Sequence, residues 1–336
     1  MTTVFVSHSP GQLAQYYGER AITALQAIAD VRFNPGDAAL SSDGLAALAQ
    51  DCDVIVSYRQ TVGDEALFAA LPRLKAFVRC AIDIRNIDVA AASRHGVLVT
   101  QASAGFIPSV TEWIVAAMLD LSRGISASAA LYHAGQPVPP AMGRELRGST
   151  LGVIGYGQIG RHLCKVALAL GMRVVVHDPF ATTDSADFPQ LGLEELLRVS
   201  DHVVCLAAAT AATENMMNAR AFSSMQPHAF FINASRGELV DEDALLAALD
   251  AGTIAGCAMD VGRAPDQMPT PSVAAHPRVI ATPHIGGLTP PAIEHQAMET
   301  VAQVAALMQG RVPQGAVNAN EAFRWRQACA AASTLS

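Results

Sequence analysis

Leu151-Gly152-Val153-Ile154-Gly155-Tyr156-Gly157-Gln158-Ile159-Gly160 decides the fold of this 336-residue chain. The first four residues read as a short buried strand. Arg161 to Leu170 reads as a helix, which Gly171 ends in a left-handed conformation. Arg173-Val174-Val175-Val176 is a second strand, closing at His177-Asp178. Gly155, Gly157 and Gly160 let the main chain come close to a pyrophosphate. The N-terminus of the helix that follows offers free N–H groups and a positive dipole end, and Gln158 and Ile159 in the glycine loop would line the cofactor there. Asp178 falls about 18 residues past Gly160, where the ribose-binding acid of a dinucleotide fold belongs. It would accept hydrogen bonds from the ribose hydroxyls and repel a 2′-phosphate, which favours NAD over NADP.

Working outward, strands and helices alternate on both sides of this unit. Upstream, Thr3 to Ser7, Asp53 to Ser57, Leu74 to Cys80 and Val97 to Thr100 read as strands. Gly11 to Ala29 and Leu45 to Asp51 read as helical. An apolar helix is expected from Val110 to Arg123, then a proline-rich loop from Gly135 to Gly143. Downstream, Asp201 to Leu206, Ala229 to Asn233, Ile254 to Met259 and Val279 to Ala281 are strands, with a helix from Asp241 to Ala251. A helix of about eighteen residues after Pro290-Pro291 is long enough to return the chain to the first unit. The nucleotide unit is therefore read as an insertion, and Arg326 to Ser336 as a tail.

Composition bounds the rest. Hydrophobic residues make up 51% of the chain and charged ones 15%, enough to build large buried cores. A net charge of −8 without a basic run argues against nucleic-acid or anionic-membrane partners. The six cysteines are scattered with no CxxC pair, so neither a metal site nor a disulfide framework is expected. The N-terminus has no signal-peptide pattern and no stretch is apolar enough to span a membrane. A cytoplasmic protein is expected.

Three strands of the nucleotide unit end at residues that carry chemistry: Ala234-Ser235-Arg236-Gly237, Asp260, and Thr282-Pro283-His284. Ligands bind beyond the carboxyl ends of strands in open parallel sheets. The segments Ile232 to Asp241, Ala258-Met259-Asp260-Val261 and Thr282 to Thr289, together with Gly155 to Gly160, resemble the NAD-dependent D-2-hydroxyacid dehydrogenases. That family includes phosphoglycerate, glyoxylate/hydroxypyruvate, formate and phosphite dehydrogenases. The resemblance covers roughly residues 50 to 320. It implies two Rossmann-like α/β domains with doubly wound parallel sheets. The NAD domain, 103–287 with its linking helix, would be inserted into a flavodoxin-like substrate domain, 1–102 and 288–325. The remaining residues, 326–336, form the tail.

The resemblance also implies roles. Arg236 would bind the carboxylate of a small anionic substrate and polarise its carbonyl, a task suited to a planar guanidinium fork. His284 would be the general acid in reduction and the base in oxidation, since its pKa lies near working pH. Asp260 would hold the nicotinamide carboxamide, and Ala234 and Gly287 would line the cofactor. Ala81 and Ile82 would meet the substrate, as would Arg59, which follows a strand of the first unit. Homodimerisation is implied as well.

Two departures stand out. The family places a glutamate five residues after the aspartate matched by Asp260, where it orients the histidine and raises its pKa. Here that position is Pro265, and Asp266 is the neighbouring acid that could replace it. Without a carboxylate beside His284, a more acidic activity optimum is expected. Asp83 stands where the family commonly has glycine. It would repel a substrate carboxylate unless it turns to Arg85 or Arg59. The leading reading is an oxidoreductase interconverting a D-2-hydroxy acid and a 2-oxoacid. The alternatives are an NAD(H)-binding regulatory protein of corepressor type on the same fold, and a dehydrogenase of a different small anion.

Overall fold

Residues 2–183 and 185–333 are described by the computed structural model of the chain. Their polypeptide divides into two units, one reaching Gly105 and resuming at Pro290, the other running from Phe106 to Thr289. In the first unit the strands are β1 (Thr3–Val6), β2 (Asp30–Phe33), β3 (Val54–Ser57), β4 (Ala76–Arg79) and β5 (Leu98–Thr100). They pair in parallel in the order β2-β1-β3-β4-β5. The second unit holds β6 (Thr150–Ile154), β7 (Arg173–His177), β8 (His202–Cys205), β9 (Phe230–Asn233), β10 (Gly256–Met259) and β11 (Val279–Ala281). These pair in parallel in the order β11-β10-β9-β8-β6-β7. Each order reverses once, between β1 and β3 and between β6 and β8. A crevice opens at such a reversal because the flanking crossover connections leave to opposite faces of the sheet.

Strands covered on both faces read as continuous apolar runs, and β3, β4 and β6 are buried at every residue. Alternation then sorts side chains between the two faces. Val4 and Val6 pack with Leu25 and, from helix Pro290–Met308, with Ala297, Val301 and Val304. Phe5 points the other way, to a cluster with Leu45, Leu67 and Phe68. The returning helix is also fixed by buried polar groups. Gln303 accepts from Thr100 Oγ1 at 2.8 Å and donates to the Gln101 carbonyl at 2.9 Å.

Some local expectations need correction. The segment Gly11 to Ala29 is two helices, Pro10–Tyr16 and Glu19–Gln26, broken at Gly18 with φ +85°. Strand β2 was not foreseen: as an edge strand it alternates exposed and half-buried residues and lacks an apolar run. The stretch from 326, expected as a tail, continues helix Phe323–Ser333. Trp325 anchors that helix, being buried with Nε1 donating to the Leu307 carbonyl. A helix at Ile125–His133 follows Ile107–Arg123 across a left-handed Gly124. No single helix among the described residues is long and apolar enough to cross a membrane.

Candidate active site

The carboxyl end of the second sheet gathers the residues singled out from the sequence. After β6 the chain turns at Gly155, whose φ of +100° suits a residue without a side chain. A Cβ on Gly160 would lie 2.2 Å from the Gly155 carbonyl oxygen, so helix Gln158–Ala169 packs tightly against the turn. A Cβ on Gly157 would meet nothing within 4 Å. Gly157 is the N-cap of that helix and no side chain caps it, so its first turn, with exposed Gln158 and half-buried Ile159, presents unused N–H groups. An open N-terminus above two sterically demanded glycines fits a pyrophosphate.

Asp178 follows β7. Its Oδ2 accepts from Tyr156 N at 2.7 Å, and its Oδ1 accepts from Phe180 N at 2.8 Å and Ala181 N at 2.9 Å. Burial opposes its ionisation, but the three main-chain donors outweigh this and hold the carboxyl below its ordinary range. The acid therefore ties the glycine turn to the end of β7 as a fixed carboxylate.

Beyond β9, Asn233 shapes the turn that bears Ala234 and Arg236. Its Nδ2 donates to the Arg236 carbonyl at 2.9 Å and its Oδ1 accepts from Ser235 N at 3.1 Å. Ser235 Oγ reaches the Ala207 carbonyl after β8 at 2.6 Å. Arg236 is half-buried, with Nη1 donating to the Ser235 carbonyl at 2.8 Å.

Asp260, buried at the end of β10, builds the loop that bears His284. Its carboxylate accepts from Thr282 Oγ1 at 2.6 Å, Ile285 N at 2.8 Å and Gly286 N at 2.7 Å. Its carbonyl accepts from His284 N at 3.0 Å. Gly287 lies against Phe106 and Val110. Asp260 thus organises the histidine loop, a task the sequence did not suggest for it.

His284 has φ +55°, uncommon for a residue with a side chain. Its Nδ1 lies 3.0 Å from the main-chain oxygen of Asp266, the acid named above as the neighbour that could replace the glutamate. The physical reason is local backbone. Pro265 begins a short turn, Pro265–Gln267, in which Asp266 is left-handed (φ 58°, ψ 23°) and its carbonyl faces the ring. A carbonyl only accepts, so Nδ1 carries the hydrogen and Nε2 is the ring's other nitrogen, the acceptor of the neutral form.

In the first unit the sheet reverses between β1 and β3, and Ser7-His8 and Tyr58-Arg59 follow those strands. Ser7 Oγ accepts from Tyr58 N at 2.9 Å and lies 2.8 Å from Thr61 Oγ1. The Arg59 guanidinium sits over the rings of Tyr16 and Tyr58, 5.7 and 6.0 Å from their centroids. After β4, the N–H groups of Ala81 and Ile82 donate no hydrogen bond among the described residues. Asp83 is met by Arg85, with Nη2 2.8 Å from Oδ2 and Nε 3.1 Å from both oxygens. That pairing offsets the repulsion expected toward a substrate carboxylate.

Two residues here escaped the sequence reading. Arg79 is wholly buried at the end of β4. It donates to the carbonyls of Tyr58 and Thr61 and to Asn86 Oδ1, pinning both loops. Burial lowers its pKa to about 10, which leaves it cationic at neutral pH. His8 is buried between Tyr17 and Tyr58, and neither ring nitrogen has a hydrogen-bond partner among the described residues. Burial, with help from the Arg79 charge, lowers its pKa to about 3, so it is neutral. The available signal was, for His8, a polar residue directly after a buried strand and, for Arg79, a charged residue inside an apolar run.

Comparison with known proteins gives a consistent picture. The model of the D-isomer specific 2-hydroxyacid dehydrogenase family, NAD binding domain, matches residues 115–286. The chain is 33% identical over 273 residues to D-3-phosphoglycerate dehydrogenase 3, chloroplastic, of Arabidopsis thaliana, covering 80% of this chain and 46% of that one. It is 32% identical over 284 residues to (S)-sulfolactate dehydrogenase of Chromohalobacter salexigens, covering 82% of this chain and 91% of that one. The crystal structure of D-lactate dehydrogenase from Aquifex aeolicus complexed with NAD and lactic acid superposes with a TM-score of 0.77. It is 26% identical and covers 94% of this chain and 99% of that one. The chain spans about half the length of the phosphoglycerate dehydrogenases it matches, 46%, 49% and 56% of three of them.

Proposed function

Because the chain belongs to the D-isomer specific 2-hydroxyacid dehydrogenase family, we propose that it interconverts a D-2-hydroxy acid and a 2-oxoacid with NAD(H). One observation carries this reading: Arg236 and His284 stand at the carboxyl end of the same sheet that forms the dinucleotide cradle. When bound, NADH would supply the hydride that reduces the oxoacid carbonyl, and Gly155, Gly157, Gly160 and the N-terminus of helix Gln158–Ala169 would hold its pyrophosphate. His284 gives the proton from Nε2 to the carbonyl oxygen, and takes it back in oxidation. Arg236 binds the carboxylate and draws electron density from the carbonyl oxygen. Asp260 holds the loop that presents His284, and Ala234 and Gly287 border the cofactor. Asp178 binds the adenosine ribose and favours NAD. In the first unit, the N–H groups of Ala81 and Ile82, two and three residues after buried Arg79, are suited to a carboxylate, and Arg59 to a polar substituent.

The Asp83–Arg85 pair supports a carboxylate substrate over a different small anion. Helix Ile125–His133 buries no residue and exposes Ile125 (58%) and Tyr132 (69%), which supports a homodimer that covers it. The cytoplasm is the proposed compartment.

The test is NADH oxidation with a panel of 2-oxoacids, repeated for Arg236→Ala and His284→Ala. Turnover of at least one oxoacid is expected, with a loss of roughly 10²–10⁴-fold in His284→Ala. Tight NADH binding without turnover of any member would instead favour the regulatory reading. Full activity in His284→Ala would overturn the mechanism.

A further inference from the structure

The loop joining β10 to the turn that faces His284 is held in an uncommon shape. Asp266 and Gln267 are consecutive left-handed residues, each with φ 58°. Neither is a glycine, and such a pair persists only where surrounding contacts over-determine it. Those contacts can be named. Gly262 N donates to the Gln267 carbonyl at 2.8 Å and Ala264 N to the Met268 carbonyl at 3.0 Å, closing the loop on itself. Gln267 Nε2 lies 3.4 Å from Glu238 Oε1.

Arg263 does most of the anchoring. Its Nε donates to the Val240 carbonyl at 3.2 Å. Its Nη2 reaches the Glu238 carbonyl at 3.0 Å, Asn215 Oδ1 at 2.6 Å and Glu214 Oε1 at 2.9 Å. Its own N–H donates to Glu242 Oε1 at 3.2 Å. One side chain therefore joins the loop to two other segments, 214–215 and 238–240. The second of these begins two residues after Arg236.

We propose that Arg263 and Gln267 are positioning residues that hold the Asp266 carbonyl against Nδ1 of His284, so that a neutral acceptor takes the place of a carboxylate. This rests on His284 acting as the acid and base described above. The arrangement is chemically sufficient for that task. Nδ1–H donates to the carbonyl whether the ring is neutral or protonated, so the acceptor need not change while Nε2 gains or loses its proton. What a carbonyl does not supply is a full negative charge to stabilise the imidazolium. The charged groups on the loop and on the segments bonded to it or to His284 are Asp260 after β10, Arg236, Glu238 and Glu242 after β9, Glu214, and Arg263 and Asp266 of the loop.

The experiment is ¹⁵N NMR of the histidine-labelled, NAD-loaded protein, with His284 identified by its loss in His284→Gln. It is paired with kcat and KM across pH. Wild type is expected to show neutral His284 as the Nδ1–H tautomer. Asp266→Asn, which keeps a residue tolerant of left-handed backbone, is expected to leave that tautomer in place. Arg263→Ala is expected to mix the tautomers and lower kcat by about 10- to 100-fold with little change in KM, and Arg263→Lys to restore only part of it. An Nε2–H tautomer in wild type would overturn the proposal. So would a change of tautomer in Asp266→Asn, which would make the carboxylate the partner. An unchanged tautomer and kcat in Arg263→Ala would remove Arg263 from the positioning role. If the tautomer is as expected but His284→Gln keeps full turnover, the geometry stands and the proposed catalytic role fails.

Discussion

Replacing Gly157 with alanine should weaken NADH binding while leaving the fold nearly intact, and Gly160→Ala should do the reverse damage first. The difference follows from two distances. At Gly157 the added methyl meets nothing within 4 Å, and the backbone there (φ −75°, ψ −161°) accepts any residue. The remaining cost is an alanine at an N-cap, about 0.5–1 kcal/mol. That corresponds to a Tm lower by about 1–4 °C. At Gly160 the methyl would lie 2.2 Å from the Gly155 carbonyl oxygen, so the turn must move. Overpacking of that kind costs about 1–3 kcal/mol and about 2–12 °C. For binding the order inverts in kind. A methyl on Gly157 occupies the space in front of the helix N–H groups. Losing one hydrogen bond to a charged phosphate is worth about 1.5–3 kcal/mol, or about 10- to 150-fold in Kd. Fluorescence titration with NADH and thermal unfolding followed by circular dichroism measure the two effects separately. Binding by Gly157→Ala within about threefold of wild type would refute the cradle, since no phosphate could then lie where the methyl projects. A stability loss equal to that of Gly160→Ala would refute the local geometry.

Asp178→Asn removes the charge but keeps an acceptor for the glycine turn. The ratio of kcat/KM for NADPH to that for NADH is expected to rise about tenfold, a change of about 1.4 kcal/mol, and an unchanged ratio would show that this acid does not read the 2′ position. His8 is held neutral, its pKa near 3 against 6.5 when unfolded. Its contribution is complete above pH 6.5 and is lost as the pH falls toward 3, by up to about 1.4 kcal/mol per pH unit. Urea unfolding at pH 7, 5.5 and 4 should show His8→Phe losing less stability on acidification than wild type, and parallel losses would contradict the assignment. Ile125→Asp with Tyr132→Asp should lower the mass seen by light scattering without lowering Tm, and an unchanged mass would mean that helix Ile125–His133 is not the dimer contact.

Much of this site was legible because strand ends are legible. Buried parallel strands announce themselves as apolar runs, and the residue after each run falls at the ligand-binding end. Gly155, Asp178, Arg236, Asp260 and His284 were found in that way. His8 obeys the same rule but follows a run read only as a strand, and Arg79 lies inside such a run, with no motif to single either out. Asp260 was recognised as a site residue and yet given a different partner. Its three bonds to the 282–286 loop join residues some 25 positions apart, a pairing that only the register of β10 with β11 creates.

The sequence by itself determined two parallel α/β sheets, the glycine cradle and which arginine and histidine stand at its rim, because periodicity and turn chemistry are local properties. Tertiary structure alone decided how the histidine is supported. Pro265 in place of the family's glutamate reads as a missing group, and Asp266 as a shorter carboxylate put in its stead. The folded loop instead offers a main-chain carbonyl, which no side-chain pattern encodes. Its direction depends on two left-handed residues held by Arg263 contacts to segments 21 to 49 positions away. Those contacts exist only once β9 and β10 lie side by side.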